Sequence, residues 1–341
     1  MFGAKTKLTD AEKVKVLLIE KKILSENHNY IKSKNHIIFP LKKKTKSALF
    51  EVVKQEFKEK KRKPGNLKDL LKGKLTEKEI EKLKRAYDTI GTIAILEIDP
   101  EFREKEKIIA EALINSNPNI KTVLRKAAGH VGTFRTQKMK WLAGEKTKES
   151  IHAENGVKIK LDVEKVYFSP RLSTERKRIS ELVKKGENVL VMFSGCAPFP
   201  CVISKNTEAK EIVGIEINPE GHKYGVQNIL LNKLKNIILI NGDVKKDVPL
   251  LAEKGLKFER IVMPAPHNAE SFIEEALMVA KKGTIIHYYD FLHQDKFVDA
   301  EKKIDVACKK NNRNWKKISI VKCGQHAPRF YRVCLDFEVL N

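Results

Sequence analysis

The residues best suited to chemistry stand where apolar runs end. In VMFSGCAPFP (191–200) a run of large apolar residues breaks at Phe193 into Ser194, Gly195, Cys196 and Ala197 before Pro198. Small residues at the end of a buried strand let a ligand lie against the backbone. The next apolar run, EIVGIEI, carries Glu216 near its end, about twenty residues further on, where a carboxylate suits a ribose diol because it accepts two hydroxyl hydrogen bonds. NIILINGD then ends in Asp243, which could accept from an exocyclic adenine amine, and FERIVMPAP ends in Pro264-Ala265-Pro266. A dinucleotide site shares the first two features, but GxGxxG is absent and a proline stands where a pyrophosphate-binding helix would open. A nucleoside without phosphates fits better, and adenosine carrying a sulfonium methionine, S-adenosylmethionine, is the ligand the ordered set implies. Taken singly, each acidic residue is also an ordinary helix cap.

Such a site needs a parallel sheet beneath it. From about residue 166 the chain alternates helix and strand: RKRISELVKKGE, NVLVMF, a helix after Pro200, EIVGIEI, NPEGHKYGVQNILLNKL, NIILINGD, FERIVMPAP, ESFIEEALMVAKKG and TIIHYYDF. Nearly continuous apolar strands separated by amphipathic helices describe a doubly wound α/β sheet, Rossmann-like in class. Two smaller α+β domains are expected before it. Residues 1–62 hold a helix from about Ala11 and a strand HIIFPL, and 63–85 read as a linker in which Thr76 and Glu79 form a capping box. Residues 86–165 hold the β-rich YDTIGTIAILEI, a helix with Pro100 in its first turn, the strand KTVLRKA and a hairpin turning at Asn155-Gly156. The catalytic domain is then 166–341.

Charge names the class of partner. The 341 residues carry 68 Lys and Arg against 44 Asp and Glu, a net of +24. Residues 1–75 supply 21 basic and 8 acidic side chains, more than half the excess. A hot habitat raises both signs of charge but not one alone, so the surplus points to a polyanion, nucleic acid. No apolar run is long enough for a membrane span and the N-terminus lacks a signal-peptide core, so a cytoplasmic protein without membrane contact is expected. The five cysteines form no CxxC pair and read as small buried hydrophobes, with no metal site expected. His287, Tyr288 and Tyr289 read as core or sheet-edge residues, and His152 as a surface residue.

VYFSPRLSTERKRI, MFSGCAPFP, GIEIN, NGDV and HYYDF together resemble the archaeal tRNA guanosine-37 N1-methyltransferase family, most of all its wyosine-linked branch. The resemblance runs from YDTIGTIAIL to the C-terminus and is looser over the first sixty residues. It implies a small N-terminal domain that touches the tRNA elbow, a middle domain and a Rossmann-like methyltransferase domain, in a monomer that grips the anticodon loop. Tyr167, Phe193, Glu216, Asp243 and Val244 fall where the family holds S-adenosylmethionine, alongside Ser194, Gly195 and Pro264. Arg135 matches an arginine on the target guanine. Glu175 matches the proton acceptor, and Arg176 is implied to reach the cofactor or the anticodon-loop backbone. Phe134, Arg171, Pro264 and Pro266 complete the implied substrate contacts, with Phe134 a candidate for stacking on a base.

The chemistry asks for those types. Guanine N1 must lose its proton as it attacks the methyl carbon, which a carboxylate can accept, and a guanidinium stabilises charge growing on O6. Without the family, Glu175-Arg176 reads as an exposed helix start. Two departures stand out: Ala197 replaces a frequent glycine, and Pro264-Ala265-Pro266 replaces the Asn-Leu-Pro of guanosine-37-specific relatives. The wyosine-linked branch likewise has Pro-x-Pro, so methylation of both guanosine N1 and C7 of 4-demethylwyosine is expected. The alternatives are an enzyme with one of these activities or a non-catalytic RNA-binding relative.

Overall fold

A computed structural model describes the chain except residues 26, 59–66, 84–86, 130–131 and 265–268 and the side chain of residue 326. It divides into two compact units, Met1–Gly65 and Asn66–Asn341. In the first, β1 (Phe2–Lys7), α1 (Ala11–Glu20), β2 (Ile31–Lys32), β3 (His36–Leu41) and β4 (Glu51–Lys54) build an antiparallel sheet in the order β2-β3-β1-β4. Its small core joins Val14 and Leu18 of α1 to Ala4, Ile37, Phe39 and Leu41. These helix positions are four apart, as one buried face requires.

The second unit opens with α2 (Leu67–Leu71) and α3 (Glu77–Lys82), inside the segment read as a linker. Thr76 caps α3: its hydroxyl accepts from the Glu79 N–H at 3.4 Å, and the Glu79 carboxylate returns to the Thr76 N–H at 2.8 Å. Leu71 and Ile80 share a core with Leu96 and Val123 of the following sheet and with Phe102 and Leu113 of the helical segment that covers it, so this stretch is not a spacer. That sheet, β5-β6-β7-β8, comprises β5 (Tyr87–Ile90), β6 (Ile93–Leu96), β7 (Thr122–Lys126) and β8 (Met139–Gly144), with α4 (Glu106–Ser116) between β6 and β7. β9 (Glu149–Glu154) and β10 (Val157–Asp162) form the hairpin, with Asn155 and Gly156 at φ +43° and +79° as a two-residue turn of this hand demands.

The remainder is α5 (Ser173–Leu182), β11 (Asn188–Met192), α6 (Pro198–Asn206), β12 (Glu211–Glu216), α7 (Pro219–Leu231), β13 (Ile237–Asn241), α8 (Val244–Glu253), β14 (Phe258–Met263), α9 (Ile273–Met278), β15 (Ala280–His293), α10 (Val298–Lys310), β16 (Trp315–Ala327) and β17 (Phe330–Val339). The strands order as β13-β12-β11-β14-β15-β17-β16. The first five are parallel and β17 runs antiparallel between β15 and β16. α6 starts at Pro198, two residues before the expected Pro200, because proline is favoured in a first helical turn. The helix expected over ESFIEEALMVAKKG is α9 alone, since pairing with β14 draws Ala280 into the sheet. Strand order reverses between β11 and β14, opening a crevice beyond their carboxyl ends. Val189, Leu190, Val191 and Met192 of β11 are fully buried, which holds the floor of that crevice rigid.

Candidate active site

The loop after β11 holds three left-handed residues within five positions. Phe193, Gly195 and Ala197 have φ of +59°, +58° and +62°. A left-handed conformation costs an L-residue about 1–2 kcal/mol, so Phe193 and Ala197 are held there by their surroundings. The Phe193 ring meets Phe272 edge-on at 4.8 Å, and Ala197 is fully buried at the start of α6. The Ser194 N–H donates to the Ile215 carbonyl at 2.8 Å, and the Gly195 N–H donates to Glu216 Oε2 at 2.6 Å.

Glu216, at the end of β12, is 9% exposed. Its Oε1 accepts from the Asn218 N–H at 2.8 Å, and burial pushes its carboxyl above the ordinary value against the pull of the Asn218 and Gly195 N–H donors. One backbone donor on each oxygen leaves each a further lone pair, the number a vicinal diol uses. Gly221 keeps this carboxylate in place: a Cβ there would stand 3.2 Å from Glu216 Cγ. Asn241 Nδ2 and the Gly242 N–H both donate to the Glu216 carbonyl, tying the end of β13 to that of β12. Asp243 caps α8 by accepting from the Lys245 N–H at 3.0 Å, beside buried Val244.

Two features fit these residues to an adenosyl ligand. Among the described residues, a Cβ on Gly195 would meet only the Tyr167 carbonyl, in ordinary contact at 3.8 Å, so the loop's outer face is not tightly packed. Among the described residues, two buried polar atoms on this edge of the sheet have no hydrogen-bond partner, Ser194 Oγ, which faces Gly214 of β12, and Arg332 Nε. Phe193, Ser194, Gly195 and Glu216 are thus brought together, with the Tyr167 carbonyl facing Gly195, Asp243 and Val244 at the end of the neighbouring β13, and Pro264 beyond the end of β14. Pro266 lies outside the described residues.

Other expected residues stand differently. Arg176 is 1% exposed, and both its Nε and Nη2 donate to the buried Glu154 carboxylate, with Nη2 also on the Ser169 carbonyl at 3.1 Å. It also lies over the Phe168 ring at 5.1 Å. With those partners it braces the β9–β10 hairpin against α5 and is taken up before it can reach toward a cofactor or an RNA backbone. Arg171 is exposed but paired through Nε with Asp88 of β5 at 2.7 Å. Arg135 lies half-buried in the loop between β7 and β8 at φ +51°, next to Phe134, which is 43% exposed. His152 is half-buried rather than on the surface, because its Nδ1 accepts from the Gly91 N–H at 3.3 Å and Phe168 covers its ring.

Glu175 is no exposed helix start. It is 5% exposed, and Arg178 grips it through two bonds of 2.8 and 2.7 Å, while the Tyr289 hydroxyl donates to Oε1 at 2.6 Å. Arg178 also donates to Asp336, which His287 approaches through Nδ1 at 2.6 Å. Arg260 lies 2.8 Å from His287 Nε2. A guanidinium only donates, so Nε2 accepts and Nδ1 carries the proton toward Asp336. Burial pushes the His287 imidazole below its ordinary value. His287, Cys334 and Asp336 bring their ligating atoms within 4.8 Å of one another, yet the two guanidinium groups already balance that cluster. Arg178 and Tyr289 had not been singled out from the sequence; the three-residue spacing of Glu175 and Arg178 on one helix was the available signal for the first.

Residues 150–316 match the family described as the TRM5/TYW2 methyltransferase domain, and residues 67–147 match the TYW2 N-terminal domain. The chain is 34% identical to tRNA (guanine(37)-N(1))-methyltransferase Trm5b of Pyrococcus abyssi over 99% of each chain. It is 33% identical to tRNA (guanine(37)-N(1))/4-demethylwyosine(37)-methyltransferase Taw22 of Nanoarchaeum equitans, over 75% of this chain and all of that one. A Pyrococcus horikoshii tRNA(Phe) (4-demethylwyosine(37)-C(7)) aminocarboxypropyltransferase is 32% identical over 81% of this chain and 96% of its own. Among solved structures, the complex of aTrm5 and tRNALeu superposes with a TM-score of 0.74 at 30% identity over 100% of both chains. TYW2 of M. jannaschii in complex with AdoMet superposes with a TM-score of 0.56 at 26% identity, over 75% of this chain and all of that one. S-adenosylmethionine is therefore the cofactor of this chain. Among the described residues, no helix is long and apolar enough to cross a membrane. With a sheet of this order, a strained loop facing a buried Glu216 and likeness across its whole length, the chain belongs to the TRM5/TYW2 methyltransferase family.

Proposed function

We propose that this chain transfers a methyl group from S-adenosylmethionine to N1 of guanosine 37 in the anticodon loop of tRNA. The observation that carries the reading is the match to a guanine-37 N1-methyltransferase over 99% of both chains, on a molecule whose sheet edge joins Gly195 to Glu216. The bound cofactor supplies an electrophilic methyl on a sulfonium. Glu216 holds the ribose, and Asp243 and Val244 flank the adenine.

Glu175 takes the N1 proton. Its Oε1 already accepts twice, from Tyr289 and Arg178, whereas Oε2 accepts once, so Oε2 has the open lone pair. Arg135 stabilises the charge that grows on O6, and Phe134 beside it offers a ring to a neighbouring base. The chain works as a monomer whose basic unit Met1–Gly65 binds the tRNA elbow while Asn66–Asn341 receives the anticodon loop.

A second reaction, methylation of C7 of 4-demethylwyosine, is favoured by Pro264, which gives the end of β14 no side chain to hydrogen-bond a guanine, and by the likeness to Taw22. The test uses purified protein, labelled S-adenosylmethionine and two tRNAs, one with guanosine 37 and one carrying the tricyclic precursor, with products read by nucleoside mass spectrometry. Formation of 1-methylguanosine on the first supports the main reading, and its absence overturns it. A methyl increment on the second supports C7 methylation, whereas no increment or an aminocarboxypropyl increment refutes it. Glu175→Ala should slow N1 methylation by about 10²–10⁴-fold with cofactor affinity retained. A parallel loss of cofactor affinity would instead assign Glu175 to the framework.

A further inference from the structure

Arg332 stands at the same edge of the sheet as the cofactor crevice. β15 runs parallel to β14, so its carboxyl end lies on the edge where β11 and β12 end, and antiparallel β17 sets Arg332 opposite Phe291 there. Tyr167 links Arg332 to the Gly195 loop. Its carbonyl oxygen faces Gly195, and its hydroxyl accepts from Arg332 Nη2 at 3.0 Å. The guanidinium lies over the Phe291 ring, 5.0 Å from its centroid, which fixes its plane.

This cation is half-buried, with its Nε fully covered. Among the described residues, no ion pair joins it to a carboxylate, and its Nε is buried without a hydrogen-bond partner. An unsatisfied charged donor is costly, and a planar guanidinium with Nε free matches a carboxylate fork. S-adenosylmethionine is polar at both ends. Glu216 and Asp243 are disposed for its adenosine on the β12–β13 side, which directs the methionine end past Gly195 toward β14, β15 and Arg332.

We infer that Arg332, held by Tyr167 and Phe291, binds the methionine carboxylate of S-adenosylmethionine. The inference rests on the cofactor assignment and is independent of which base is methylated. An RNA phosphate is the competing anion. It is disfavoured because Tyr167, whose carbonyl faces Gly195, contacts the guanidinium directly.

Titration calorimetry on the full chain separates these. S-adenosylmethionine and 5′-methylthioadenosine share the adenosine and sulfur, but only the first has a carboxylate. Arg332→Gln should weaken S-adenosylmethionine by about ten- to a hundredfold and leave 5′-methylthioadenosine binding unchanged. Arg332→Lys should recover part of the loss, since it keeps the charge but not the fork. The unliganded Arg332→Gln protein should unfold at nearly the same temperature, because no carboxylate partner is lost. Equal losses for both ligands would mean that Arg332 merely supports the cradle, and would overturn the inference. Unchanged affinity for both would overturn it too; a selective rise in KM for tRNA would then assign Arg332 to the RNA backbone.

Discussion

Replacing Gly195 with alanine tests the cofactor seat with little damage to the fold. Gly195 sits at φ +58°, where an L-residue loses about 1–2 kcal/mol. The added methyl meets no atom closer than the Tyr167 carbonyl at 3.8 Å, so no overlap adds to that cost. The N–H bond to Glu216 survives, because alanine keeps its donor. Two places on, Ala197 already tolerates φ +62° with a Cβ of its own. The unliganded Gly195→Ala protein should therefore lose about 1–2 kcal/mol in chemical denaturation. On the proposed cofactor seat, however, the methyl projects from the loop to where the methionine and ribose would lie. Filling a fitted space costs about 1–3 kcal/mol, or roughly five- to 150-fold in affinity for S-adenosylmethionine by calorimetry. Full affinity alongside the expected stability loss would refute the claim that the cofactor lies on this backbone.

Glu216→Ala should weaken S-adenosylmethionine by about 1–3 kcal/mol through loss of charged hydrogen bonds, and calorimetry showing unchanged affinity would remove Glu216 from the site. Burial raises Asp336, but His287 and then Arg178 more than reverse this and hold it well below the usual carboxylate range. Its contribution to stability is thus complete above the unfolded value of about 3.9 and lost as pH falls through the lower folded value. Denaturation curves between pH 5 and 2 should show that loss in the wild type. Asp336→Asn, about 3–5 kcal/mol less stable at neutral pH, should lack this share of the acid slope; parallel curves would contradict the assignment. Deleting Met1–Gly65 should weaken tRNA binding and flatten its salt dependence while cofactor binding persists, because fewer counterions are released. Equal affinity at every salt concentration would detach that unit from RNA.

Much of the architecture was legible because short-range physics carries it. Alternating apolar runs marked the strands of the large sheet, Thr76 and Glu79 marked a helix start, and Asn155-Gly156 marked a hairpin. The small residues after β11 and the acid ending β12 were legible as a candidate ligand seat, since both follow from what a strand end can accommodate. The segment before β5 was misjudged because α2 and α3 are too short to show a clear helical period, and only packing against Leu96 and Phe102 makes them part of a core.

Which charge meets which was decided by the tertiary structure alone. Arg176 looked like a reaching side chain beside Glu175, yet the hairpin delivers Glu154 to it from 22 residues away. Glu175 receives Tyr289 from 114 residues away, and Arg178 receives Asp336 from 158. Arg332 and Tyr167 are 165 residues apart and adjoin only because β17 is inserted antiparallel beside β15. Residue type and local spacing determine which elements form and where a strand can end around a ligand. A buried ion's partner depends on sheet order and register, long-range quantities that no short window of sequence encodes.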